Sequence, residues 1–158
     1  GSPWRNDGME VRVVWVGKTR LPGVAALTEE YTRRLGRFCQ FRAEEIRGKE
    51  KRKGEVKGEE AVLLARSAGS YRVVLDASGK LWSSQDFARF WQRSRDEGNR
   101  GVSFCVGGAD GFSAPFRREA DLLLSLSPLT MPHELARVVL LEQIYRACTL
   151  LAHHPYPR

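Results

Sequence analysis

Gly101-Val102-Ser103-Phe104-Cys105-Val106 runs straight into Gly107-Gly108-Ala109-Asp110-Gly111, and that junction decides what fold to expect. An uncharged, β-branched and aromatic run reads as a strand buried on both faces, and the glycines after it read as a tight turn leading to a helix. The same alternation repeats on either side. Strands are expected over 11–16, 41–46, 71–76 and 122–126. Helices are expected over 21–38, 59–68 and 114–120. Another should open at Ser83-Ser84-Gln85-Asp86, ahead of Phe87, Phe90 and Trp91 at helical spacing. Ala77-Ser78-Gly79-Lys80 reads as a turn. The order β-α-β-α-β-α-β-α-β-α predicts an α/β domain, a mostly parallel sheet with helices on both faces. Ligands of such sheets sit beyond the C-terminal ends of the strands, which here means Leu75-Asp76, Gly107-Gly108 and 126–131.

The last helix, 133–152, is apolar nearly all round, with Leu135, Val138, Val139, Leu141, Ile144, Cys148 and Leu151. Such a helix must be covered on several sides. A second copy of the chain is expected to cover Leu140, Ile144 and Leu151 in a homodimer.

A length of 158 residues suits one domain rather than two. Hydrophobic residues at 42% and charged residues at 28% argue against a disordered or fibrous chain. With 26 Lys and Arg against 19 Asp and Glu, the net charge of +7 favours a polyanionic partner. The longest aliphatic run, 138–141, is far short of a membrane span, and no secretory signal is visible. Residues 1–8 read as a tag or disordered extension beginning with a Gly1-Ser2-Pro3 cloning remnant, and Met9 as the natural start of a domain over 9–158. Cys39, Cys105 and Cys148 form no CxxC pair, so reduced thiols in a cytoplasm are expected, and no metal site.

No GxxxxGK[ST] is present, which leaves a P-loop nucleotidase without support. The spacing at 107–111 is GGxxG, and two readings stay open: a turn that needs positive φ, or a close main-chain approach to a ligand. Leu126-Ser127-Pro128-Leu129-Thr130-Met131-Pro132-His133 holds two prolines among apolar residues. It reads either as a rigid connection with Pro132 near the start of the last helix, or as a stiff loop whose main chain clasps a flat heterocycle.

Together these segments carry a resemblance. Val16-Gly17-Lys18-Thr19, Val74-Leu75-Asp76, Val106–Gly111, Leu126–His133, Glu142-Gln143-Ile144-Tyr145-Arg146-Ala147 and His154-Pro155-Tyr156 resemble, in order and spacing, the ribosomal RNA large-subunit methyltransferase H family of the SPOUT class, over essentially 9–158. The resemblance implies a trefoil-knotted homodimer that uses S-adenosyl-L-methionine to methylate N3 of a pseudouridine in 23S, large-subunit ribosomal RNA, in the ribosome and without metal or membrane. It implies cofactor contacts from Leu75, Gly107, Gly108, Leu126, Ser127, Pro128, Leu129, Thr130 and Met131. N3 is an imide N–H that needs a base. His133, Glu142, His153, His154 and Tyr156 are candidates, with Arg137 and Arg146 available to stabilise negative charge. His154, Tyr156, Glu142 and Arg137 are taken as the catalytic set, although Glu142 reads equally well as an i,i+4 partner of Arg146. Arg47, Lys49, Lys51, Arg52 and Lys53 in the basic loop, with Arg158 at the tail, are expected to contact RNA phosphates. Two rival readings are a methyltransferase for another RNA, such as tRNA, and a non-catalytic RNA-binding assembly factor of the same fold.

Overall fold

The computed structural model of the chain describes residues 6–47, 58–98 and 101–156. Five strands, β1 (Asn6–Val16), β2 (Cys39–Ile46), β3 (Tyr71–Leu81), β4 (Gly101–Val106) and β5 (Leu122–Ser125), form one sheet in the order β2-β1-β4-β3-β5. Every pairing is parallel. The helices are α1 (Pro22–Leu35), α2 (Gly58–Arg66), α3 (Ser84–Asp96), α4 (Ala114–Arg118) and α5 (His133–Leu151).

Side chains two residues apart on a strand share a face, and the core divides accordingly. Val13 and Trp15, Phe104 and Val106, and Val73 pack with Leu35 of α1, Phe87, Phe90 and Trp91 of α3, and Leu140, Leu141 and Ile144 of α5. The intervening Val14, Cys105 and Val74 pack on the other face with Leu63 of α2 and Phe116 of α4. The sheet is therefore covered on both sides, and of its three inner strands β1 and β4 bury apolar residues on both faces. Cys39, Cys105 and Cys148 are free and buried. No helix among the described residues is long and apolar enough to cross a membrane.

Two expectations need correcting. The first concerns α5. Leu140 and Ile144, expected to face a second copy, are fully buried within this one chain, because α1 and α3 flank α5 on the sheet and close around it. Leu151 is only half-buried, and the large apolar residues left in solvent include Leu129 at 78%, Leu81 at 57% and, in the first turn of α5 itself, Leu135 at 46% exposure.

The second concerns 77–80, which do not end a strand. β3 stays extended to Leu81, and Leu75 and Lys80 both stand opposite Leu124 of β5, so the residues between them form an outsized bulge. Its geometry is local: the Asp76 carboxylate accepts hydrogen bonds from the Ser78 amide at 3.1 Å and from the Ser78 hydroxyl. This is the turn-making habit of Asp applied inside a strand. The α3 start is as expected, a capping box in which Ser83 Oγ accepts from Asp86 N and Asp86 accepts from Ser83 N.

Candidate functional site

A cavity of about 630 Å³ opens beyond the C-terminal ends of β3, β4 and β5, a volume within the usual range for small-molecule sites. Three strand ends make it. The β3 bulge supplies Leu75 and Asp76, the glycine turn after β4 supplies Gly107 and Gly108, and the loop after β5 supplies Leu126, Ser127, Pro128, Leu129, Thr130 and Met131. The structure thus gathers all nine candidate cofactor residues around one space.

Each wall has a local cause. In the glycine turn, positive φ falls at Gly111 (67°) rather than at Gly107 or Gly108, and Gly111 N donates to Gly108 O at 3.0 Å. Gly107 is confined for another reason: a Cβ there would lie 3.3 Å from Gly111 Cα and 3.4 Å from the Phe112 ring. We therefore expect Gly107→Val to wedge the turn open, costing about 1–3 kcal/mol of stability together with ligand binding at the cavity. A Tm equal to the parent's with binding lost would instead place the added side chain in the open cavity. In the loop after β5, Ser127 Oγ accepts from Leu129 N at 2.9 Å and Ser125 Oγ donates to Ser127 O at 3.1 Å. Pro128 and Pro132 stiffen the rest, with Pro132 the N-cap of α5.

The electrostatics run against the chain as a whole. In a protein of net charge +7, the ionisable side chains on the cavity wall are Asp76, Asp110 and His133, with no lysine or arginine among the described lining residues. Burial pushes the Asp76 carboxyl up, but the Ser78 hydrogen bonds and Arg117, 3.6 Å away, outweigh it and hold it below the ordinary carboxylate range.

The candidate catalytic residues do not meet this cavity within one chain. Arg137 is fully buried behind it. Its Nη1 donates to Thr19 Oγ1 at 3.0 Å, its Nη2 to the Val16 and Gly17 carbonyls at 3.1 and 3.3 Å, and its guanidinium lies over Trp15. Glu142 is the helix partner of Arg146, at 2.9 Å. His154 packs edge-on against Phe38, and the Tyr156 hydroxyl pairs with that of Tyr31 at 3.1 Å. Tyr156 also packs on Tyr145, more than three turns of α5 from His133 and so about 18 Å along the axis. Burial raises the Tyr156 hydroxyl pKa, helped by the Tyr31 hydrogen bond, so it stays protonated at neutral pH. Of the candidate bases, His133 alone lines the cavity. Arg47 is exposed just past β2, whereas Lys49, Lys51, Arg52, Lys53 and Arg158 lie outside the described residues.

Three residues outside the candidate set prove important. Asp76 is one; its signal is the Asp-x-Ser spacing at a strand end. Glu134 accepts from Arg20 N and Leu21 N at 3.0 and 3.2 Å, and Glu45 accepts from Trp15 Nε1 and from Thr19 N and Oγ1. Glu134 pins the segment after β1 onto α5 and Glu45 pins it onto β2, pairings no local pattern announces. No group of three or more His, Cys, Asp or Glu among the described residues is placed to hold a metal ion.

A family model described as "Predicted SPOUT methyltransferase" matches residues 9–157. Curated relatives named ribosomal RNA large subunit methyltransferase H include the protein of Thermus thermophilus, 46% identical over 153 residues, covering 95% of this chain and 99% of the relative. That of Rhodospirillum centenum is 42% identical over 154 residues, covering 95% and 99%. That of Koribacter versatilis is 40% identical over 152 residues, covering 94% and 97%.

Proposed function

The chain belongs to the SPOUT methyltransferase family, and on that premise we propose that it is an S-adenosyl-L-methionine-dependent methyltransferase acting on N3 of a pseudouridine in large-subunit ribosomal RNA. The observation that carries the cofactor assignment is the charge of the cavity. A wall with two carboxylates and no lysine or arginine among its described residues, in a basic protein, repels the phosphates of a nucleotide or dinucleotide and suits a ligand bearing positive charge. The volume, the apolar loop at 126–131 and the main chain exposed at Gly107 and Gly108 fit the adenosine part. When bound, the cofactor supplies a methyl group already activated by its sulfonium.

What remains for the protein is placement and proton removal. The stiff loop and the bulge hold the donor in a fixed pose. His133, on the cavity wall at the start of α5, is the group to which this reading gives the N3 proton. Leu129 and Leu135, exposed at 78% and 46% beside the cavity, are apolar surface that a second copy would cover. In such a homodimer the tail of one chain, with His154 and Tyr156, would approach the cavity of the other. That arrangement answers their separation from the cavity within one chain. A trefoil knot belongs to the same reading.

The RNA is expected to lie on the basic segment around Arg47–Lys57 in the cytoplasm, on assembled ribosomes. Reversing the charges of Lys51, Arg52 and Lys53 should weaken RNA binding and flatten its salt dependence by roughly 0.7–0.9 in log–log slope for each phosphate that is no longer neutralised. A slope equal to the parent's would remove these residues from the interface. The reaction itself is tested by nucleoside mass spectrometry of ribosomal RNA from cells lacking the gene. Loss of N3-methylpseudouridine from the large subunit is expected. Its persistence, with a methyl missing from another RNA or from none, would favour a different target or a non-catalytic binder.

A further inference from the structure

Among the described cavity residues, Asp76 is the ionisable side chain that hydrogen bonds within the fold hold in place. It sits inside the β3 bulge, its Oδ2 accepts from both Ser78 groups, and its side chain is 15% exposed. Bulges redirect side chains next to functional sites, and here the redirected group is an anion at the cavity wall. Its sole ion-pair partner among the described residues, Arg117, stands outside the lining at 3.6 Å and is itself 40% exposed. That separation is long for a charge-assisted hydrogen bond, so one carboxylate oxygen keeps acceptor capacity for a ligand.

We propose that Asp76 selects the charged methyl donor, its carboxylate pairing with a cationic centre of the cofactor, either the sulfonium or the α-ammonium. This rests on the cavity being the cofactor site. A fixed carboxylate is already ordered, so pairing costs little entropy. It also lets the enzyme distinguish donor from uncharged adenosine derivatives, which share the adenine and ribose. If the partner is the sulfonium, the preference disappears once the methyl has left, and the spent cofactor is released more readily.

The test is calorimetry on the full-length protein with three ligands. S-adenosylmethionine carries both cations, S-adenosylhomocysteine the ammonium alone, and 5′-methylthioadenosine neither. Asp76→Asn should weaken S-adenosylmethionine roughly ten- to a hundredfold and leave methylthioadenosine within about twofold. A parallel weakening of S-adenosylhomocysteine assigns the ammonium, and its absence assigns the sulfonium. Arg117→Gln, which removes a competing cation from an exposed position, should tighten S-adenosylmethionine by up to about fivefold with methylthioadenosine unchanged. Equal weakening of all three ligands by Asp76→Asn would mean that the residue merely shapes the bulge and would overturn the proposal, as would an unchanged S-adenosylmethionine affinity. Failure of the unaltered protein to bind any of the three would instead overturn the cofactor assignment itself.

Discussion

Gly79→Ala is expected to lower stability by about 3 kcal/mol, a fall of roughly 6–12 °C in Tm for a chain of this size, and to abolish cofactor binding. The cause is space rather than backbone conformation. A Cβ at Gly79 would lie 2.6 Å from Leu123 C and Leu124 N and 2.7 Å from Leu123 O. All three atoms belong to the backbone of β5, which is held in the sheet by its ladder with β3, so neither side can swing away as a side-chain tip would. This close approach also joins two of the three cavity walls, and forcing it apart moves Asp76 and Leu126 relative to each other. Differential scanning calorimetry beside a cofactor titration measures both effects. A Tm within about two degrees of the parent's, with affinity intact, would show that the two strands have room for a methyl group between them.

Arg137→Met is expected to be about as costly, about 3–5 kcal/mol. Burial pulls the guanidinium pKa down, against the opposing pull of Glu134 and Glu45. Removing it strands the Val16 and Gly17 carbonyls and leaves the buried Glu134 carboxylate without its nearby cation, whereas Glu45 is exposed and stays solvated. Gly17 has a φ of 98°, which disfavours a side chain there, and a Cβ at that position would touch the same group, 3.8 Å from Arg137 Nη2. Arg137→Lys should recover part of the loss, because it returns a charge but not the fork that reaches three acceptors. A residue acting on the RNA would behave differently, with the variant folded at the parent's Tm and methyl transfer alone impaired. Thermal melts of the two variants therefore decide between an internal clamp and a catalytic group.

The strands are legible in the sequence because buried parallel strands announce themselves as β-branched and aromatic runs, as at Val11–Val16 and Gly101–Val106. The cavity walls are legible because glycines and prolines cluster at three strand ends, where sheets of this type bind ligands. The β3 bulge is not. Ala77, Ser78 and Gly79 carry the same turn chemistry whether a strand ends or loops out and resumes, and the difference lies in the distant pairing of Lys80 with Leu124. Asp76 is hard to single out for the same reason, since its aim depends on the bulge. The cover of α5 is ambiguous because a helix enclosed by two neighbours of its own chain has the same apolar circumference as one enclosed by a second copy. The separation of the motifs at 126–133 and 154–156 is legible as well, because the 19-residue helix α5 stands between them.

The most direct test is a crystal structure of the protein grown with saturating S-adenosyl-L-methionine. The account predicts the adenosine moiety between Gly107-Gly108 and the 126–131 loop, with a cationic group of the cofactor against Asp76. Bound cofactor elsewhere on the chain, with the space between the three strand ends filled only by water, would contradict it.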